Sequence, residues 1–135
     1  MKALKIDVKN QTVTNIELSK DNFSQDVYDA IGNGCHTFCA PFDFSNGDVL
    51  FADDEGLLND NVEGCFALEG FRYPIVGNAI IIGSDCDDDV CDVKTLASDI
   101  YEVHGLIWGN KETAESHKEY VINNSPFIIY ENYEI

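Results

Sequence analysis

The chain has 135 residues, of which 25 are acidic and 8 are lysine or arginine, so its formal net charge is −17. This length suits one domain, and an apolar fraction of 44% is ordinary for a globular protein. A chain of this charge repels nucleic acid and anionic membranes, which excludes two common binding functions and favours cationic surfaces or metal ions as partners. The alternative is that the acidity serves solubility alone.

The N-terminal residues carry charge where a signal peptide would have an apolar core, and no apolar run approaches the ~20 residues that span a bilayer. We therefore expect a cytoplasmic protein in a reducing environment. The chain has five cysteines, an odd number that fits poorly with a disulfide framework, so we expect free thiols.

The most apolar stretch is the run from Arg72 to Gly83, and its residues 79–82 are apolar without alternation. This pattern predicts a central strand that is covered on both faces. Apolar spacing and turn residues predict the other elements. In chain order these are a hairpin over 1–18, a helix from Asp21 or Asn22 to about Ile31, strands over 35–42 and 49–52, and a segment at 65–68 that is helix or strand. A helix capped by Asp92 follows, with Leu96, Ile100 and Val103 or His104 on its face, and then come a loop or strand over 105–109, a helix over 111–120 and a last strand over 127–130.

These elements predict an α+β fold in a single domain over residues 1–135. We expect an antiparallel or mixed sheet of five to six strands, with two to three helices packed on one face. Residues 1–104 form the predicted core, and residues 105–135 form a C-terminal extension with a helix and the last strand.

Three motifs follow one another in the first hundred residues. They are an N-terminal hairpin with Ile6-Asp7 and Ile16-Glu17-Leu18, a strand that ends in an acidic turn over 48–58, and the run PIVGNAIIIG at 74–83. In this order, and with a helix near 93–103, residues 1–103 resemble a family of phage- and plasmid-borne proteins known as domain of unknown function 3846. The resemblance implies an accessory protein of a mobile genetic element in the cytoplasm of a host cell, where such proteins often counter host defence. It implies no catalytic residues.

Two acidic stretches are the candidate partner-binding surface: Asp85, Asp87, Asp88, Asp89 and Asp92 in the first, and Asp53, Asp54 and Glu55 in the second. The first begins with the D-x-D-x-D spacing of an EF-hand loop. However, Val90 stands where that loop needs glycine, and Leu96 stands where it needs glutamate. We therefore predict no metal site. The alternatives for this stretch are a solvated connection between strand and helix, which is favoured, and a weak, water-rich cation site.

The cysteines and histidines form no recognisable catalytic or metal motif. Cys35, Cys39, Cys86 and Cys91 lack the C-x2-C spacing of common zinc sites, and Cys35 and His36 would point to opposite faces of a strand. No phosphate-binding loop, H-E-x-x-H or G-x-S-x-G is present. We expect neither a cofactor nor an enzyme.

The charge and the resemblance together predict an anti-defence inhibitor, which presents a DNA-mimicking acidic surface to a basic site on a host nucleic-acid-binding protein. One alternative is an oligomer that sequesters a nucleotide-like signalling ligand around Arg72, the only arginine. Another is a structural or regulatory interaction module. The C-terminal aromatic segment, which includes Trp108, Phe127 and Tyr130, is either an edge or core strand or a homo-oligomer contact.

Overall fold

The computed structural model describes residues 1–56, 59, 61–62, 64–70, 74–85, 87 and 89–110. Nine strands and two helices occur in this part of the chain. They are β1 (Lys2–Asp7), β2 (Thr12–Glu17), α1 (Phe23–Ile31), β3 (Phe38–Asp43), β4 (Val49–Asp53), β5 (Gly64–Ala67), β6 (Ile75–Val76), β7 (Ala79–Ser84), β8 (Val90–Cys91), α2 (Ala97–Glu102) and β9 (Ile107–Asn110).

The main sheet is antiparallel and has β7 at its centre, in the order β2-β1-β7-β4-β3, with β8 paired to the end of β7. Ile81 of β7 lies between Leu4 of β1 and Leu50 of β4, and all three are fully buried. The predicted central strand is therefore confirmed, as is the hairpin formed by β1 and β2. A second, three-stranded sheet has the order β6-β5-β9 and was not predicted.

The two helices cover opposite faces of the main sheet, so the prediction that they pack on one face is wrong. Ile80 and Ile82 of β7 pack with Val27 and Ile31 of α1. On the other face the buried cluster includes Ala79 and Ile81 of β7, Phe66 of the small sheet and Ile100 of α2. Because the central strand is apolar on both sides, both faces of the sheet must be covered. Helix α1 covers one face, and the small sheet together with α2 covers the other.

Helix α2 begins at Ala97, five residues later than the predicted cap at Asp92. The Asp92 carboxylate instead accepts a hydrogen bond from the Lys2 N–H at 2.8 Å, and the Val93 N–H donates to the Lys2 carbonyl at 2.9 Å. This segment therefore extends along β1 before the helix starts. Of the predicted apolar face, only Ile100 is buried, whereas Leu96 and Val103 are exposed.

Other boundaries shift by a few residues. The strand predicted over 35–42 runs over Phe38–Asp43, and the undecided segment at 65–68 is a strand, β5. Helix α1 ends as predicted before Gly32, whose φ of 68° is accessible to glycine at low cost. β9 pairs with β5, so residues 107–110 belong to the same fold as the predicted core.

Several predictions lie outside the described residues: the helix over 111–120, the strand over 127–130, Arg72, Cys86 and Asp88. Among the residues that the structure does describe, no helix combines the length and the apolar character needed to cross a bilayer.

Candidate functional site

The two acidic stretches lie at opposite ends of the central strand. Residues 85–89 follow the end of β7, whereas Asp53 ends β4 beside the start of β7, since Ala52 pairs with Ala79. At ~3.3 Å per residue, the length of β7 separates the two ends by roughly 20 Å. The two stretches therefore form two separate acidic turns.

The turn after β7 is held by its own carboxylates. The Asp85 side chain accepts hydrogen bonds from the N–H groups of Asp87 at 2.9 Å and Asp89 at 3.0 Å, which closes the connection between β7 and β8. Asp89 forms an ion pair with Lys20 at 2.7 Å, and this hydrogen bond lowers the pKa of Asp89 and raises that of Lys20. Both side chains are exposed, so the pair contributes little stability. Asp87 is also exposed and faces solvent.

The turn after β4 contains one buried and two exposed carboxylates. Asp53 is only 9% exposed, and it accepts hydrogen bonds from the Glu55 N–H at 2.9 Å and from the Asn59 amide at 3.2 Å. Because Asp53 is buried, it is not available to a partner, and we leave it out of the candidate surface. Asp54 and Glu55 are exposed.

Helix α1 connects the two acidic ends along one face of the sheet. Lys20, just before the helix, contacts Asp89, while the carbonyl of Ile31, its last residue, accepts a hydrogen bond from Asn78, the residue before β7. The outer face of this region carries exposed Asp21 and Asp29. We call the exposed carboxylates along this line the acidic track: Asp87, Asp89, Asp21, Asp29, Asp54 and Glu55.

The acidic track is rich in negative charge. It contains six exposed carboxylates, which come from α1, from the segment just before it and from the two acidic turns. Lys20 is the one cation paired with the track among the described residues. The track therefore gives the protein a strongly negative surface.

The thiols next to the second acidic turn are poor nucleophiles. Burial raises the pKa of Cys39 to about 12, and the Asp54 carboxylate adds to the effect. Burial and Asp53 likewise raise the pKa of Cys35 to about 11. Both thiols stay protonated near neutral pH, which disfavours nucleophilic attack and metal binding. Within the described part of the chain, no three cysteine, histidine or acidic side chains are placed to hold a metal ion.

Two features of this region were missed from sequence. The first is the contribution of α1, although Asp29 avoids the helical positions of buried Val27 and Ile31, and this spacing could have identified it. The second is Asp48, which is fully buried and binds a segment more than forty residues away. No local sequence pattern predicts a contact between residues so far apart in the chain.

Comparison of the chain with protein-family models, with curated proteins and with solved structures finds no match. The resemblance to domain of unknown function 3846 therefore stays a prediction based on its motifs.

Proposed function

We propose that this protein is a non-enzymatic inhibitor from a mobile genetic element, which uses the acidic track to occupy a basic, nucleic-acid-binding site of a host defence protein. The observation that carries the proposal is the set of six exposed carboxylates in the acidic track, of which only Asp89 has a cationic partner among the described residues. The net charge of −17 supports it, because the whole molecule is attracted to a cationic site.

The physical basis is competition for the same cations. A nucleic-acid site binds phosphates through lysine and arginine, and a group of exposed carboxylates offers these side chains similar partners. The track lies on a helix packed against a sheet and on turns closed by hydrogen bonds, so little conformational entropy is lost when it binds.

The first test identifies the partner by pull-down from host lysate at low and high salt. The purified partner is then titrated with the protein, with duplex and with single-stranded DNA. We expect binding that weakens steeply with salt, competition with nucleic acid, and no binding of nucleic acid by the protein itself.

A matched pair of variants distinguishes the effect of the acidic track on binding from the effect of the overall charge. Asp21→Asn with Asp29→Asn removes two charges from the track, whereas Glu69→Gln with Glu102→Gln removes two exposed charges from the side of the molecule that carries α2. The track variant should bind several-fold more weakly with a salt slope smaller by up to ~2, since each phosphate-like contact contributes ~0.9. Equal effects of the two variants, or binding indifferent to salt, would contradict the proposal.

A further inference from the structure

The described part of the chain contains two asparagines that are each followed by glycine, in the pairs Asn33-Gly34 and Asn46-Gly47. In such a pair the backbone nitrogen of the glycine can attack the side-chain amide carbon of the asparagine, because glycine has no side chain to hinder the approach. The reaction requires an asparagine side chain that is free to rotate and a glycine N–H that is not held by an acceptor. The two pairs differ in both respects.

The reacting groups of Asn33-Gly34, just after α1, are free. Both residues are exposed, and both have a positive φ, 56° for Asn33 and 73° for Gly34. Neither the Asn33 side chain nor the Gly34 N–H has a hydrogen-bond partner in the described part of the chain. Nothing described therefore prevents the side chain from turning towards the glycine nitrogen.

The reacting groups of Asn46-Gly47, in the turn between β3 and β4, are held by three hydrogen bonds. The Asn46 side-chain oxygen accepts a hydrogen bond from the Asp48 N–H at 2.9 Å, and its side-chain nitrogen donates to the Thr95 hydroxyl at 3.0 Å. The Gly47 N–H donates to the Phe44 carbonyl at 3.0 Å. Asn46 is exposed as well, so these hydrogen bonds rather than burial restrain it.

We propose that Asn33 is a site of spontaneous deamidation and that Asn46 is protected from it. The Gly34 nitrogen forms a bond to the side-chain carbon of Asn33, and the carbon–nitrogen bond of the side-chain amide breaks. The departing nitrogen takes the proton from the Gly34 nitrogen and leaves as ammonia. Water then opens the cyclic imide at either of its two carbonyls, which gives aspartate or isoaspartate. Either product makes the protein more negative by one charge.

The isoaspartate product should also weaken the contact between the end of α1 and the second acidic turn. The Asn33 carbonyl accepts a hydrogen bond from the Asn59 amide at 2.8 Å, and the same amide donates to the Asp53 carboxylate at 3.2 Å. Isoaspartate inserts one extra carbon into the backbone, so the carbonyl that precedes Gly34 shifts away from this amide. Aspartate leaves the backbone unchanged, so only isoaspartate should lower the stability.

The test is incubation of the full-length protein in warm, mildly alkaline buffer, followed by proteolysis and mass spectrometry of the two peptides. Three hydrogen bonds must open at the Asn46 pair and none at the Asn33 pair, so we expect Asn33 to react roughly tenfold faster or more. In concentrated urea the two sites should react at similar rates, because the same two residues are then equally free. Equal rates in the folded protein would overturn the proposal, as would a difference that persists in urea.

Asn33→Asp is the matched control for the added charge, because it keeps the normal backbone. Incubated protein that carries isoaspartate at position 33, separated by ion exchange, should melt at a lower temperature than Asn33→Asp. If the two melt at the same temperature, the inferred loss of the contact with Asn59 is wrong.

Discussion

Asp48 is a fully buried carboxylate that joins two distant parts of the chain, and its removal tests how the fold is held together. It lies in the turn between β3 and β4. Its oxygens accept hydrogen bonds from the Lys94 N–H at 3.1 Å, from the Thr95 N–H at 2.7 Å and from the Thr95 hydroxyl at 2.6 Å. The carboxylate therefore fixes the segment that leads into α2. The perturbation is Asp48→Ala.

The cost follows from the groups that lose their partner. Two backbone N–H groups and the Thr95 hydroxyl are left without this acceptor, and each buried unsatisfied group costs about 1–3 kcal/mol. Removing a buried carboxylate recovers part of its desolvation cost, so we expect a net loss of about 3 kcal/mol. Such a loss is a large fraction of the ~5–15 kcal/mol that stabilises a domain, and at this size it lowers the melting temperature by roughly 10 °C.

The assay is urea and thermal unfolding followed by circular dichroism. Asp43→Asn is the control, because Asp43 is a nearby exposed carboxylate, and its substitution should change stability by less than ~0.5 kcal/mol. Asp48→Asn, which keeps the shape and one acceptor oxygen, should fall between the two. If Asp48→Ala unfolds within ~1 kcal/mol of the control, the reasoning about the buried carboxylate is refuted.

Three further predictions concern the core, the thiols and the charge. Ile81→Asp places a carboxylate at the fully buried centre of the sheet, costs several kcal/mol, and should leave no cooperative transition in a thermal melt. The pKa values of Cys35 and Cys39 are raised from 9.0 to about 11 and about 12, so the folded protein keeps protons that the unfolded chain releases. The stabilisation that these protonated thiols contribute is therefore fully present below pH ~9 and is lost as the pH rises towards the folded pKa values. Replacing both residues, Cys35→Ala with Cys39→Ala, should flatten the fall in melting temperature at alkaline pH. Sodium chloride should raise the melting temperature by shortening the Debye length from ~30 Å at 0.01 M to ~3 Å at 1 M, and a melting temperature independent of salt would contradict a role for charge repulsion.

Local sequence patterns correctly predicted the secondary-structure elements that are determined by neighbouring residues. The uninterrupted apolar run at 79–82 identified the central strand, and Gly32 marked the end of α1. The start of α2 could not be predicted, because Asp92 is held by Lys2 from the other end of the chain. The second sheet was missed for the same reason, since it depends on the pairing of β5 with β9.

The candidate acidic surface was likewise predictable only in the features that depend on local sequence. Runs of acidic residues in the sequence identified 85–89 and 53–55 as candidate binding residues, and both acidic stretches are largely on the surface. It could not reveal that the length of β7 separates them or that Asp53 is turned inward to Asn59. The role of α1 as the connection between them depends on the contacts of Lys20 and Asn78, which only the tertiary structure provides.

The position of β7 between β1 and β4 also has a consequence for synthesis of the protein. During translation β1 and β4 emerge from the ribosome before β7, and both pair with β7 in the finished sheet. Until residue 84 has emerged, each of these strands has an edge of unpaired backbone N–H and C=O groups, which is a site for pairing with another nascent chain. We therefore expect the main sheet to close late, when most of the chain has left the ribosome, and yields in a host cell to depend on chaperones that shield these edges.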